Sequence, residues 1–419
     1  MVKPALGLYP HQWSWDTGFI AVALARLDTT FARASLESLF RGQWRTGMVP
    51  HIVFDEAVHD YFPDADRWAC SRLTDDAPSA PATSGICQPP IHALALTAIV
   101  ESAVGEGAAR AAEAMAWVER FYPKVLAWHR FLARERVEES TGLVRIFHGW
   151  ESGMDNSPRW DAAYEAVEVR PSLPRYRRRD LDHVAEASER PSDLEYDRYL
   201  TLVEEFKEAR YDQSVLAERC SFVVGDVFFT AIFAMANDDL AALARRLGRS
   251  EERELSSYAD RAREAVQRRM LEDSGATLDI DLRRGVDLAP DTIAEFSALV
   301  AGGLPAGDQR RLTARLLGER WAGNPGLRWP VPPSTSPVAA SFRPRTYWRG
   351  PVWPVVTWLL ALALERAGDD DAAATLRGAT LDQLSDWRFG EYYEPLNGEA
   401  LGSENHSWTA AVAVDWLCR

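Results

Sequence analysis

Apolar residues recur along this chain in two ways, and the two alternate. Residues 16–27, 90–101, 225–236, 292–301, 352–364 and 407–417 are apolar nearly all round, as helices enclosed by protein must be. Residues 29–43, 108–136, 251–273, 308–319 and 370–387 have apolar side chains at three- to four-residue spacing on one face and charges on the other. Inner and outer helices in strict succession, with short connections, predict an all-α fold, an (α/α)6 barrel. The pattern supplies six inner helices and five outer ones, so one outer helix is missing or lies upstream of Met1. Only residues 142–147 and 277–282 read as strands. Residues 158–213 break the alternation with Pro171, Pro174, Pro191 and the basic run 175-RYRRRD-180. They read as a lid-like insertion, with one helix near 193–208, in a single catalytic domain spanning 1–419.

Composition narrows the function. A hydrophobic share of 47% and a charged share of 26% describe a globular protein. A net charge of −15 argues against a nucleic-acid partner, whose phosphates need a basic face. The four cysteines form no CxxC pair, which points to a reducing compartment. Residues 1–13 do not resemble a leader, and the apolar run 352–364 falls short of the about 20 residues that cross a bilayer. A cytoplasmic protein without a membrane partner is expected, and a homo-oligomer remains open. No glycine-rich phosphate cradle is present, so no organic cofactor is expected. His51 and His59 lack metal-ligand spacing, so no metal is expected either.

The chemistry gathers in the turn-rich segments before the inner helices: 9-YPHQWSWD-16, 84-SGICQPP-90, 291-DTIAEF-296, 347-YWRGPVWP-354 and 402-GSENHSW-408. In an (α/α)6 barrel these ends meet at one mouth, where free helix N–H groups and tryptophan faces suit a hydroxyl-rich ligand. The chain has 16 tryptophans, and Trp13, Trp15 and Trp348 stand in these segments. Two further segments bring acids: 147-HGWESGMDNSPRWDAAYE-164 and 389-FGEYYEPLNGEALGSENHSW-408. Paired carboxyls from distant parts of a chain suit glycosidic bond cleavage, one protonating the leaving oxygen and the other activating water. Position alone leaves Glu151 as a rival to Asp155, and Glu399 and Glu404 as rivals to Glu391.

The phrases YPHQWSWD, SGMDNSPRWD, YWRGPVWP and EYYEPLNG, followed by HSWTAA, resemble glycoside hydrolase family 63. More narrowly, they resemble its compact bacterial branch of mannosylglycerate and glucosylglycerate hydrolases. That resemblance implies an inverting α-glycosidase with Asp155 as general acid and Glu391 as general base. It implies a sugar subsite of Tyr9, Gln12, Trp13, Trp15, Asp16, Gln88, Trp150, Gly153, Tyr347, Trp348 and Gly350, with His406 close by. Arg190, Tyr196 and Tyr61 would meet the carboxylate of a small aglycone. The expected partner is therefore a small sugar glycoside. Other readings are a trehalase-like or general α-glucosidase on neutral disaccharides, a non-catalytic carbohydrate-binding protein, and a sugar epimerase. The last lacks a histidine pair at the inner-helix ends.

Overall fold

The computed structural model describes residues 1–184, 186–289 and 291–418; residue 185 of the expected insertion falls outside them. In chain order its main helices begin with α1 (Ser14–Leu27), α2 (Thr29–Phe40), α3 (His92–Gly105), α4 (Ala108–Phe131), α5 (Asp193–Glu208) and α6 (Val227–Arg246). They continue with α7 (Glu252–Gln267), α8 (Ser297–Ala301), α9 (Ala306–Leu316), α10 (Pro354–Arg366), α11 (Asp370–Gln383) and α12 (Ser407–Leu417). Among the described residues α1, α3, α6, α8, α10 and α12 form a closed ring: each packs on the next, and α12 returns to α1. Outside it α2, α4, α7, α9 and α11 each pack on the inner helix that precedes them. This is the (α/α)6 barrel that the alternation predicts.

The burial of each layer follows its sequence. In α1 every residue from Ser14 to Ala23 is buried, and a Cβ on Gly18 would stand 2.9 Å from the Ile91 side chain. In α7 only Leu255, Ala259, Ala262, Ala265 and Val266 are buried, a stripe at helical spacing. Helix α6 is long and apolar enough to cross a membrane, but most of it is buried inside the barrel.

Two expected helices depart from their predicted course. The outer helix expected to reach residue 136 stops at Phe131 and continues as a π-helical turn, Leu132–Arg136. That wider turn carries Arg136 into the interior, where its Nη1 and Nη2 donate to Glu151 at 2.9 and 2.8 Å. The inner helix expected over 292–301 opens instead as a 3-10 turn, Ile293–Phe296, before α8.

More strand is present than the sequence suggested. Val144–Ile146, Val224–Asp226, Asp279–Asp281 and Val286–Leu288 pair antiparallel in that order. Two shorter pairings, Gln12–Trp13 with Ile52–Val53 and Tyr392–Tyr393 with Ala400–Leu401, hold loops at the barrel mouth. The four-stranded sheet supports the 147–164 loop through one cation. The Arg159 Nη1 lies 3.2 Å from Asp226 and 3.0 Å from Asp279, all three side chains buried, and the guanidinium covers the Trp160 ring at 4.1 Å. Two buried carboxylates left without it would carry their desolvation cost unpaired.

Arg159→Leu is therefore expected to cost about 3–5 kcal/mol of stability. The measurement is the denaturant midpoint at unchanged slope. A midpoint equal to that of the wild type would show that the sheet does not depend on this cation.

Candidate active site

The 147–164 segment is a string of capped turns. The His148 imidazole accepts from Trp150 N, a 3-10 turn spans Gly149–Ser152, and Gly153 follows at φ +74°. A side chain at Gly153 would meet Trp15 Cζ2 at 2.4 Å, so only glycine fits both the dihedral and the space. This turn brings Asp155 to the mouth. The next residue, Asn156, accepts from Trp348 N at 2.9 Å, and Arg349 forks onto Asp161 with both contacts at 2.7 Å. These bonds tie the 347–350 turn to the acid-bearing loop. Between them Tyr347 is held at φ +31°, an unusual backbone for an aromatic residue. Its side chain stands beside Asp155 and helps to hold the Asp155 pKa down against burial.

Glu391 stands just before the short strand pair Tyr392–Tyr393 and Ala400–Leu401. Its amide donates to Leu401 O and Ser403 O. Its Oε1 accepts from the Tyr9 hydroxyl at 2.5 Å, and its Oε2 accepts from Ser403 N at 3.1 Å. Gly402 closes this cradle at φ +72°, where a Cβ would stand 2.4 Å from Glu391 Oε2. The Tyr9 and Tyr347 hydroxyls are 3.1 Å apart. Arg190 lies over the Tyr347 ring at 4.0 Å, and its Nη1 donates to the Tyr9 hydroxyl at 3.4 Å.

A cavity of about 70 Å3 lies over this cluster. Of the expected residues, Tyr9, Trp13, Tyr61, Trp150, Asp155, Arg190, Tyr196 and Tyr347 line it. Asp180, Arg190, Pro191, Tyr196 and Tyr199 come to it from the described part of 158–213. That segment is tied down by Arg179–Asp60 at 2.8 Å and Arg345–Glu189 at 2.7 Å.

Residues 9–409 match the family described as the mannosylglycerate hydrolase MGH1-like glycoside hydrolase domain. The chain belongs to this family. A glucosylglycerate hydrolase of Mycolicibacterium hassiacum is 47% identical over 419 residues, 100% of this chain and 94% of that protein. A mannosylglycerate hydrolase of Thermus thermophilus is 40% identical, over 99% of this chain and 95% of its own. The crystal structure of a family 63 mannosylglycerate hydrolase from Thermus thermophilus, in complex with Tris and D-glycerate, superposes with a TM-score of 0.90 at 39% identity, covering 100% of this chain and 96% of that one. The protein is a glycoside hydrolase of family 63.

Several residues expected in the sugar subsite support this hydrolase's site from behind. Gln12 donates to Ser35 O and accepts from Ser38 Oγ, both at 2.9 Å, so its amide is used up on α2. Gln88 accepts from Trp15 N at the start of α1. Trp348 stacks on Trp353 at 3.6 Å, and Trp15 packs against Trp348 and Trp408. Gly350 is needed because a Cβ would stand 2.3 Å from Arg343 O. Asp16 is buried in the first turn of α1, close enough for Asp155 and Glu391 to add to the rise in its pKa. His406 is buried beside Tyr9 and Trp408, and burial lowers it to about 3, leaving a neutral ring.

Leu8, His51, Asp60, Phe62, Arg179, Asp180 and Tyr199 also line the cavity without having been singled out for the subsite. They stand in turns and in the insertion, where no periodicity marks them. The rival acids are all engaged elsewhere or exposed. Glu151 is paired with Arg136, Glu399 with Arg345 at the surface, and Glu404 is exposed.

Electrostatics separate the two remaining carboxyls. Burial pushes Asp155 up to about 7, with Glu391 adding to the rise and Arg190 and Tyr347 opposing it. Burial also raises Glu391, but Arg190, Tyr9 and Ser403 favour its ionised form. One carboxyl is thus equipped to hold a proton near neutrality, while the other has donors aimed at both oxygens.

Gly402→Ala is expected to move the Glu391 carboxylate and to lower kcat by roughly 100-fold or more, the usual scale for a misplaced reacting group. The backbone strain adds a stability loss of about 1 kcal/mol or more. A variant with wild-type kcat would mean that the cradle does not set the base.

Proposed function

We propose that this hydrolase cleaves the α-glycosidic bond of a small sugar glycoside with inversion, the aglycone carrying a carboxylate. Glucosylglycerate and mannosylglycerate are the substrates that fit. The observation that carries this reading is the buried Arg190 guanidinium, set over the Tyr347 ring and close enough to Asp155 and Glu391 to favour the charged form of each. Its buried Nε has no hydrogen-bond partner, although Asp180 stands 3.5 Å away. A substrate carboxylate would complete the guanidinium fork. The 47% identity to a glucosylglycerate hydrolase supports the same substrate class.

In this reading Asp155 protonates the leaving oxygen, and Glu391 draws a proton from a water that attacks the opposite face of the sugar. Trp13, Trp150, Tyr9 and Tyr347 hold the ring, with Asp16 beneath. Arg190, Tyr61 and Tyr196 receive the glycerate. Residues 1–419 act as one catalytic domain, and 158–213 is its lid. The four free cysteines support a cytoplasmic setting. A neutral disaccharide would bring no carboxylate to Arg190 beyond the Asp180 contact at 3.5 Å, which disfavours the trehalase-like reading.

The deciding assay incubates the protein with glucosylglycerate, mannosylglycerate and trehalose and follows the released anomer by NMR. Retained configuration, or hydrolysis of trehalose alone, would refute the proposal. Arg190→Ala is expected to lower kcat/KM on the glycerate glycosides by roughly 10–100-fold, the worth of a charged hydrogen-bond pair. Asp155→Asn is expected to lower kcat by about 10²–10⁴-fold. The acid works protonated, so activity present below pH 7 is lost as pH rises through about 7. A pH–kcat/KM profile flat to pH 9 would exclude Asp155 as the acid.

A further inference from the structure

With Asp155 as acid and Glu391 as base, a reading on which this inference rests, each turnover leaves both carboxyls in the wrong state. Asp155 has given its proton to the leaving oxygen, and Glu391 has taken one from water. One proton must pass from Glu391 to Asp155 before the next cleavage. Glu391 is only 1% exposed, so bulk water does not bathe it. Its closest proton-carrying contact is the Tyr9 hydroxyl at 2.5 Å; the Ser403 Oγ stands at 3.5 Å, the outer limit of a hydrogen bond. Tyr9 reaches the Tyr347 hydroxyl at 3.1 Å, and Tyr347 and Asp155 line the same cavity side by side. Two hydrogen bonds and one step across the cavity wall therefore separate Glu391 from Asp155.

We infer that Tyr9 and Tyr347 form a proton-return relay, which carries the proton from Glu391 to Asp155 inside the site. In the resting state protonated Asp155 donates to Tyr347, Tyr347 to Tyr9, and Tyr9 to the Glu391 carboxylate. After cleavage the two hydroxyls turn toward Asp155. The proton on Glu391 then moves to the Tyr9 oxygen, the Tyr9 proton to the Tyr347 oxygen, and the Tyr347 proton to the Asp155 carboxylate. Three O–H bonds break and three form, one net proton crosses, and nothing is oxidised or reduced. The chain ends in its starting orientation. Burial holds both phenols well above their ordinary pKa, so they pass protons as neutral hydroxyls and do not ionise.

The test is rapid-quench kinetics on the full-length enzyme with glucosylglycerate, comparing wild type with Tyr347→Phe and Tyr9→Phe. Each variant keeps the ring and removes one link. The relay predicts a burst of glucose near one equivalent of enzyme, followed by turnovers at least about tenfold slower than the burst. Added formate, small enough to enter the cavity and carry protons, should speed the later turnovers and leave the burst unchanged. It should not speed the wild type. The double variant should turn over no more slowly after its burst than the slower single, because both cut one path. Burst and later turnovers slowed equally, without formate rescue, would make the tyrosines mere substrate contacts. A burst created by Ser403→Ala would send the proton through Ser403 to solvent. Either result overturns the relay and leaves the acid and base assignments intact. Unimpaired single-turnover cleavage by Asp155→Asn would instead remove the reading beneath it.

Discussion

A carboxyl set among buried side chains with no cation bonded to it is costly to ionise, and the half-buried Asp155 at the cavity wall is such a group. A buried acid meets that cost either by pairing or by keeping its proton. Glu151, earlier in the same loop, pairs: Arg136 grips both of its oxygens, and the amides of Phe147 and Cys87 add two more donors. Asp155 meets a tyrosine, with Arg190 near but not bonded to it, and so keeps its proton to about pH 7. The surrounding structure serves this difference. The Arg159 ion triad pins the loop to the sheet, Gly153 lets it pass Trp15, and the Asn156 and Asp161 bonds hold Tyr347 where it must be.

The same comparison explains which acids can react. Asp161, Glu399 and Glu189 answer arginines in ion pairs that fasten one segment of the mouth to another. A carboxylate used that way is ionised and engaged in holding position. Glu391 is also surrounded by donors, but those at its oxygens are a hydroxyl and an amide, which orient a charge without neutralising it. It remains a base.

The barrel was legible because it is repetitive. The alternation of all-apolar and one-faced segments located the inner and outer helices, although α6 runs on to Arg246 past its expected end at 236 and α7 stops at Gln267 short of 273. The insertion helix was anticipated at its observed bounds, Asp193–Glu208. Legibility failed where structure is made by single contacts. Strands of two or three residues have no period to read, and the turn at Arg136 follows from one buried pair. Among the candidates, Asp155, Glu391, Tyr9 and Tyr347 converge because family motifs hold their positions, and Arg190 joins them from the insertion, outside those motifs. Gln12, Trp15 and Trp348 belong to the same motifs, but they build the wall behind the cavity. Sequence marks a motif as a unit and cannot divide the side chains that face the ligand from those that brace them. Asp60 and Tyr199 carry no motif at all.

The ring is shut by contact between its first and last helices, and the site is shut the same way: the Tyr9–Glu391 bond joins positions 382 apart. Contacts of such separation form late, because the intervening chain must be ordered before they are rewarded. During synthesis the barrel is an open arc until α12 emerges, with its inner apolar faces uncovered. The hydrolase therefore has no active fragment on the way to completion. The contact that seals the ring between α1 and α12 goes with the contact that brings Glu391 within reach of Tyr9, so ring closure and site assembly are one event.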